Sequence, residues 1–300
     1  MLLKALSMGY AIPGADFSAV VHSVFSTAIN LRPATGNELL TLVASSEADL
    51  PQGIRVDTPN DFSFEVFSTG EPVICRRDSL RLKSLTVELA GARRWKCNLP
   101  ALQADPANPA VKTAWTSVWL ALNQRQIQAK AEILAENLFR SDDSMWAGVP
   151  RMAGTAISDL VDATRRYDLP MAASSARGLI GLGSGLTPSG DDLLVGCLAG
   201  LWCAVQNNRE RVQFVSDLGK AVIHLSRRTN EISRTYLFHA SQGQVSSLLA
   251  NLAEAICTGM DANQLFERTN AALQVGHTSG MDAVTGLLLG LAAWEGGLIM

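Results

Sequence analysis

The chain has no excess of positive charge, no cysteine pair at CxxC spacing and no apolar run of membrane-spanning length. Each gap removes a class of function. A net charge of −3 over 300 residues provides no basic face of the kind phosphate backbones attract, which argues against a nucleic-acid partner. The five cysteines, Cys75, Cys97, Cys197, Cys203 and Cys257, are an odd number without zinc-site spacing. Buried free thiols in a reducing compartment are the expectation. The apolar stretches 193–205 and 283–294 hold 13 and 12 residues, too few to cross a hydrocarbon core of about 30 Å. The opening residues meet Lys4 and then Pro13 before any long apolar run, so no secretory signal is expected and a cytoplasmic location is. No G-x-S-x-G, no Cys/His cluster and no spaced glycosidase-type carboxylate pair stands out.

What is present is an apolar interior, with 47% hydrophobic and 18% charged residues, enough for one large domain or two modest ones. Residues 1–100 read as β-rich. Leu39–Ala44, Ile54–Val56, Phe62–Phe67 and Leu82–Leu89 are short apolar or alternating runs, with turns expected at Asp49–Gly53 and Ser68–Pro72. Phe17–Asn30 is the exception: Val20, Val21, Val24, Phe25 and Ala28 recur at helical spacing. Pro100, Pro106 and Pro109 mark a linker. From about residue 110 to 300 the pattern is helical, with Trp115, Trp119, Leu122, Gln126 and Lys130 in one register and Ala129–Phe139 continuing it. Further helices are expected at 153–167, 189–205, 210–228, 230–242, 245–257, 261–274 and 279–294. The fold class predicted is α+β: a β-rich barrel or sandwich at 1–100, then a larger all-α domain at 110–300.

The strongest signal is a motif written twice, ninety residues apart. Ser189-Gly190-Asp191-Asp192 opens a segment ending at Gly200-Leu201, and Ser279-Gly280-Met281-Asp282 opens one ending at Gly290-Leu291. The common pattern is S-G-x-D-x-x-x-G-x-x-x-G-L. Gly196/Gly200 and Gly286/Gly290 form two GxxxG faces, which predicts two helices crossing backbone to backbone with their N-termini brought together. Each copy follows a Gly-rich loop, one holding Gly183, Ser184, Gly185 and Thr187, the other Gly276, His277 and Thr278. Helix N-termini and such loops favour small anions. Ser189 with Asp192, and Ser279 with Asp282, also have capping-box spacing. Asp191 adds a second carboxylate where a cap needs one, suited to an amide or cation. His277 precedes a helix start, where an imidazole is placed to move a proton or hold an oxyanion. Arg227, Arg228 and Arg234 lie with Ser and Thr in a segment suited to phosphate or carboxylate.

The runs GLGSGLTPSGDDLLVG (181–196), T-x-x-x-S-x-x-x-L-x-x-A-x-x-G (229–243) and GHTSGMDAVTGLLLG (276–290) resemble a bacterial family. Long of unknown function, it is now linked to the oxamate carbamoyltransferase of anaerobic allantoin degradation (AllH-like). Ser23-Val24-Phe25, Pro51-Gln52-Gly53-Ile54 and Leu80–Leu89 are similar too. The resemblance implies a cytoplasmic subunit, acting with partner proteins, that exchanges a carbamoyl group between oxalurate and phosphate. Its small anionic substrates would be carbamoyl phosphate, oxalurate or oxamate, and phosphate. Ser226-Arg227-Arg228-Thr229 imitates the S-x-R-T-R loop of well-known carbamoyltransferases, but Asn230 replaces the last Arg and the setting reads as helical. That likeness carries no weight.

The site expected has His277 and Asp191 as catalytic residues. Gly183, Ser184, Gly185, Thr187, Ser189, Asp192, Arg234, Gly276, Thr278, Ser279 and Asp282 would bind substrate. No cofactor or metal is called for. Two other readings compete: a non-catalytic metabolite-binding or scaffold subunit, and a metal-dependent hydrolase with Mg²⁺ on Asp191, Asp192 and Asp282.

Overall fold

The computed structural model describes residues 1–138 and 148–294, in two compact units, Met1–Cys97 and Asn98–Met300. The first is a closed barrel. Its strands are β1 (Leu2–Gly9), β2 (Phe17–Val24), β3 (Ala28–Pro33), β4 (Leu40–Val43), β5 (Gly53–Val56), β6 (Pro72–Arg76), β7 (Ser79–Leu82), β8 (Leu85–Glu88) and β9 (Arg93–Trp95). The order is β5-β4-β3-β2-β6-β7-β8-β1, and β1 returns to β5 to close an eight-stranded ring. The short β9 pairs with the end of β1 beyond β8. Bulges between Ala5 and Ser7 and between Val21 and Ser23 supply local bends. Alternation fills the interior: Val73 and Cys75, Leu80 and Leu82, Leu85 and Val87 all point into one core.

Two expectations for this unit fail for identifiable reasons. Phe17–Asn30 is not a helix but β2, a turn and the start of β3. Val20, Val21 and Val24 are β-branched and fit a pleated surface, and Ala19 and Val21 are buried on alternate positions. Phe62–Phe67 is not a strand but a 3-10 turn at Phe64–Val66, started by Ser63, whose side chain accepts from the Glu65 N–H. Phe64, fully buried, packs edge-on against Phe62 at 4.9 Å and tilted against Phe67. Leu82–Leu89 divides into β7 and β8 around a turn at Lys83. The expected turns are present: the Gly53 N–H donates to Leu50 O and the Glu71 N–H to Ser68 O.

The second unit is helical: α1 (Pro109–Ala129), α2 (Val149–Arg165), α3 (Leu169–Leu179), α4 (Ser189–Cys203), α5 (Arg209–Leu225), α6 (Glu231–Ala240), α7 (Ser247–Thr258), α8 (Ala262–Leu273) and α9 (Ser279–Ala292). α1 does not run on to Phe139, which lies outside the described residues. Lys130 takes a left-handed turn at φ +52°, and the Ala135 N–H comes back to the buried Gln126 side chain at 2.8 Å. That side chain also donates to Thr285 Oγ1 of α9. α3 was not anticipated; Asp168 caps it, accepting from Met171 N–H, and Pro170 lies in its first turn.

α4 and α9 are apolar on nearly every face and sit at the centre of this unit. They pack directly on each other, as the repeat predicts. A Cβ added at Gly196 would lie 1.9 Å from Ala283 O, and one at Gly286 would lie 2.0 Å from Leu193 O. Gly200 and Gly290 repeat the relation one turn on, each 2.3 Å from the facing Leu287 or Cys197 carbonyl. These contacts exchange under the ninety-residue shift, so the two helices are related by an approximate two-fold. The duplication includes the preceding helix and loop. Gly190 N–H bonds to Leu182 O and Gly280 N–H to Val275 O, and a Cβ at either glycine would strike the last turn of α3 or α8. The first loop, 180–188, is four residues longer than the second, 274–278.

Candidate functional site

The two-fold brings the two Gly/Ser/Thr loops to one place. Thr187 Oγ1 and Ser279 Oγ, ninety-two residues apart, lie 2.8 Å from each other. The expected capping boxes are absent. Pro188 and Thr278 are the N-caps, neither with a side-chain cap bond; the Asp192 and Asp282 amides donate to Pro188 O and Thr278 O, and Leu182 O and Val275 O serve Gly190 and Gly280. Ser189 and Ser279 therefore sit inside the first turns, with hydroxyls free to reach across. The hydroxyls of Ser279 and Thr187 lie near Asp192 and those of Ser189 and Thr278 near Asp282, where each favours the charged form. Each helix's aspartate is thus approached by the other helix's serine.

Both carboxyls are in an unfavourable place for charge. Burial pushes Asp192 well above the ordinary carboxylate range; the hydroxyl of Ser279 opposes this, and the charges of Asp282 and Asp191 add to it. Burial likewise raises Asp282 to about 7, against hydrogen bonds from Ser189 and Thr278 and with Glu132 adding repulsion. The Oδ2 atom of each is buried and has no hydrogen-bond partner among the described residues.

Asp191 faces elsewhere. It is 1% exposed and accepts from Gly181 N–H at 2.8 Å and from Thr229 Oγ1 at 2.5 Å, with the Ser233 hydroxyl close by. Burial raises its pKa while these donors lower it. It ties the start of the Gly-rich loop to the junction between α5 and α6. Asn230 completes that clamp: it caps α6 through Ile232 and Ser233 N–H, and its Nδ2 donates to Leu186 O at 2.9 Å. Thr229, Asn230 and Ser233 were not singled out as site residues, although Thr229 and Ser233 have the i, i+4 spacing of one helix face.

Other expected residues are distributed differently. Ser184, Gly185, Gly276 and His277 are exposed at the loop tips, and Gly183 is half-buried. Gly183, Gly185 and Gly276 hold φ of +109°, +94° and +58°, where an L side chain would strain the turn. Arg234 pairs with Glu231 of its own helix at 3.5 Å. Ser226–Arg228 forms a 3-10 turn, not a strand-end phosphate loop. Among the described residues no group of three His, Cys, Asp or Glu is placed to hold a metal ion, and no helix is long and apolar enough to cross a membrane.

Both units match family descriptions. Residues 179–291, which include both loops and both repeat helices, match the family described as oxamate carbamoyltransferase subunit AllH. The chain belongs to that family. Residues 4–94, the barrel, match the AllH family N-terminal domain. No solved structure matches the chain. The family's description is of a carbamoyltransferase subunit, which implies partner subunits and small substrates.

Proposed function

We propose that this AllH chain binds the small anion of a carbamoyl exchange between oxalurate and phosphate, in allantoin breakdown in the cytoplasm. In that exchange a phosphate oxygen bonds to the carbamoyl carbon, the bond to the oxamate nitrogen breaks, and that nitrogen takes a proton. The observation that carries the reading is the juxtaposition of two duplicated hydroxyl-rich loops at adjoining helix N-termini. Ser184, Thr187, Ser189, Thr278 and Ser279 would hold phosphate or carboxylate oxygens, with the positive ends of α4 and α9 beneath them. Because loop carbonyls occupy the N–H groups of Gly190 and Gly280, hydroxyls carry more of this recognition than main-chain amides. Exposed His277 would meet substrate from the loop tip, and Asp191 acts as a positioning residue.

A second reading is favoured by Asp191, which spends its carboxylate on the Gly181 amide and the Thr229 hydroxyl: the chain binds the metabolite while a partner subunit performs the transfer. The Mg²⁺-hydrolase alternative finds no support in the same geometry, since Asp191 points away from the pair formed by Asp192 and Asp282. Reconstitution tests the proposal. Carbamoyl phosphate formation from oxalurate and phosphate is measured with all partner subunits, and AllH carries Thr187→Val with Thr278→Val. A loss of about 100-fold is expected for removed positioning hydroxyls; wild-type rates would remove these loops from the site. His277→Gln at full rate would leave the binding-subunit reading alone.

A further inference from the structure

The cross-bracing leaves two atoms unaccounted for. Hydroxyls lie beside both Asp192 and Asp282, yet the Oδ2 of each is buried without a partner among the described residues. Asp282 as a whole is 2% exposed. One orphaned polar atom is a familiar packing cost; the same atom orphaned at both copies of a duplicated position points to a ligand that two-fold-related oxygens can share. Resting on the carbamoyl-exchange reading, the geometry points to Asp192 and Asp282 as the recognition pair for the carbamoyl group itself, H₂N–CO–.

That group presents two N–H donors and one carbonyl acceptor. A carboxyl pair holding a single proton presents the complement: the ionised member accepts N–H and the protonated member donates to the carbonyl. Burial of both carboxyls, with the charge of Asp282 acting on Asp192, favours such a half-protonated pair. The arrangement also removes a conflict, since two full charges at the foot of the loops would repel an anion. Oxalurate and carbamoyl phosphate share H₂N–CO– and differ at their anionic ends, so a pair fixed on the shared group serves both directions of exchange. The hydroxyls on these carboxyls belong to the ends of the two loops, whose tips, Ser184–Leu186 and Gly276–His277, are exposed and offer the way in.

Calorimetry on the full chain tests the pair with three probes. Phosphonoacetamide carries H₂N–CO– beside a phosphonate, phosphonoacetate replaces the amide by a carboxylate, and inorganic phosphate lacks both. Wild-type protein should prefer the amide over the carboxylate by about 10-fold or more. Asp192→Asn and Asp282→Asn should each cut that preference to under about threefold while phosphate affinity persists. Phosphate binding with no amide preference, or a preference that survives both substitutions, overturns the pair's role and leaves the anion site standing. No binding of any probe overturns both. Carboxyl ¹³C resonances of the unsubstituted chain give a readout independent of variant folding. The Asp192 and Asp282 signals should move with phosphonoacetamide and stay with phosphate; unmoved signals under bound phosphonoacetamide refute the assignment.

Discussion

Asp191, Asp192 and Asp282 share one motif, yet the fold separates their roles by what each carboxyl meets. Asp191 meets two donors, the Gly181 amide and the Thr229 hydroxyl, and becomes an internal brace. Asp191→Ala should therefore lower stability by about 3 kcal/mol or more, since hydrogen bonds to a charged group contribute about 1.5–3 kcal/mol each; Asp191→Asn, which keeps one acceptor, should cost less. Urea denaturation checks both, and a wild-type midpoint for the alanine variant would contradict the brace. Asp282 meets burial instead. A carboxyl whose folded pKa exceeds its unfolded value holds its proton more tightly when folded. Folding is thus favoured at low pH, and the advantage fades as pH climbs through the window from 3.8 to about 7. That gap corresponds to on the order of 4 kcal/mol, with Asp192 pushing in the same direction. Stability curves between pH 4 and 7 should be flatter for Asp282→Asn than for wild type; identical slopes would mean that Asp282 ionises freely.

At the scale of elements, the α4–α9 crossing decides where the loops go. Its carbonyl-to-glycine approaches leave no room for a methyl group. Gly196→Ala, the smallest possible change, should cost about 1–3 kcal/mol from overpacking and displace both N-termini. Gly154→Ala in α2 is the matched control: its added Cβ would sit 3.7 Å from Leu138 Cδ2, an ordinary contact. There the reduced freedom of the unfolded chain should stabilise by about 0.4–1 kcal/mol. Thermal melts of the pair should move in opposite directions, and equal shifts would show that the crossing tolerates separation. This crossing was legible because glycine at i and i+4, in two copies, has few other uses in an apolar helix. The capping boxes were misread for a complementary reason. Ser and Asp three residues apart predict a local bond, but each helix starts one residue earlier, so the Asp192 and Asp282 amides already donate to Pro188 O and Thr278 O.

At the scale of the whole molecule, the chain builds two cores by two rules, period two in the barrel and an all-apolar helix pair beyond it. The barrel's closure carries its own polar lock. Asp49, 8% exposed, accepts from Arg55 Nε at 2.9 Å and Arg93 Nη2 at 2.7 Å, and from Ser7 Oγ, so that β1, β5 and β9 meet on one carboxylate. Both arginines reach solvent, which discounts the pairing. Asp49→Ala should still destabilise the barrel by about 2 kcal/mol, measured by denaturant unfolding; an unchanged midpoint would assign closure to the apolar interior alone.

By itself the sequence determined the class of each half, the central helix pair and the two loops, because strand alternation, glycine spacing and turn residues act locally on the backbone. It misassigned Phe17–Asn30 and Phe62–Phe67, where short apolar runs satisfy two periodicities and only closure of the barrel selects one. Tertiary structure alone decided that Asp191 turns inward, that Thr229, Asn230 and Ser233 clamp the first loop, and that each serine serves the opposite aspartate. The physical reason is range: a hydroxyl bonds whichever polar neighbour lies within about 3 Å, and for Thr187 that neighbour is Ser279, ninety-two residues away along the chain.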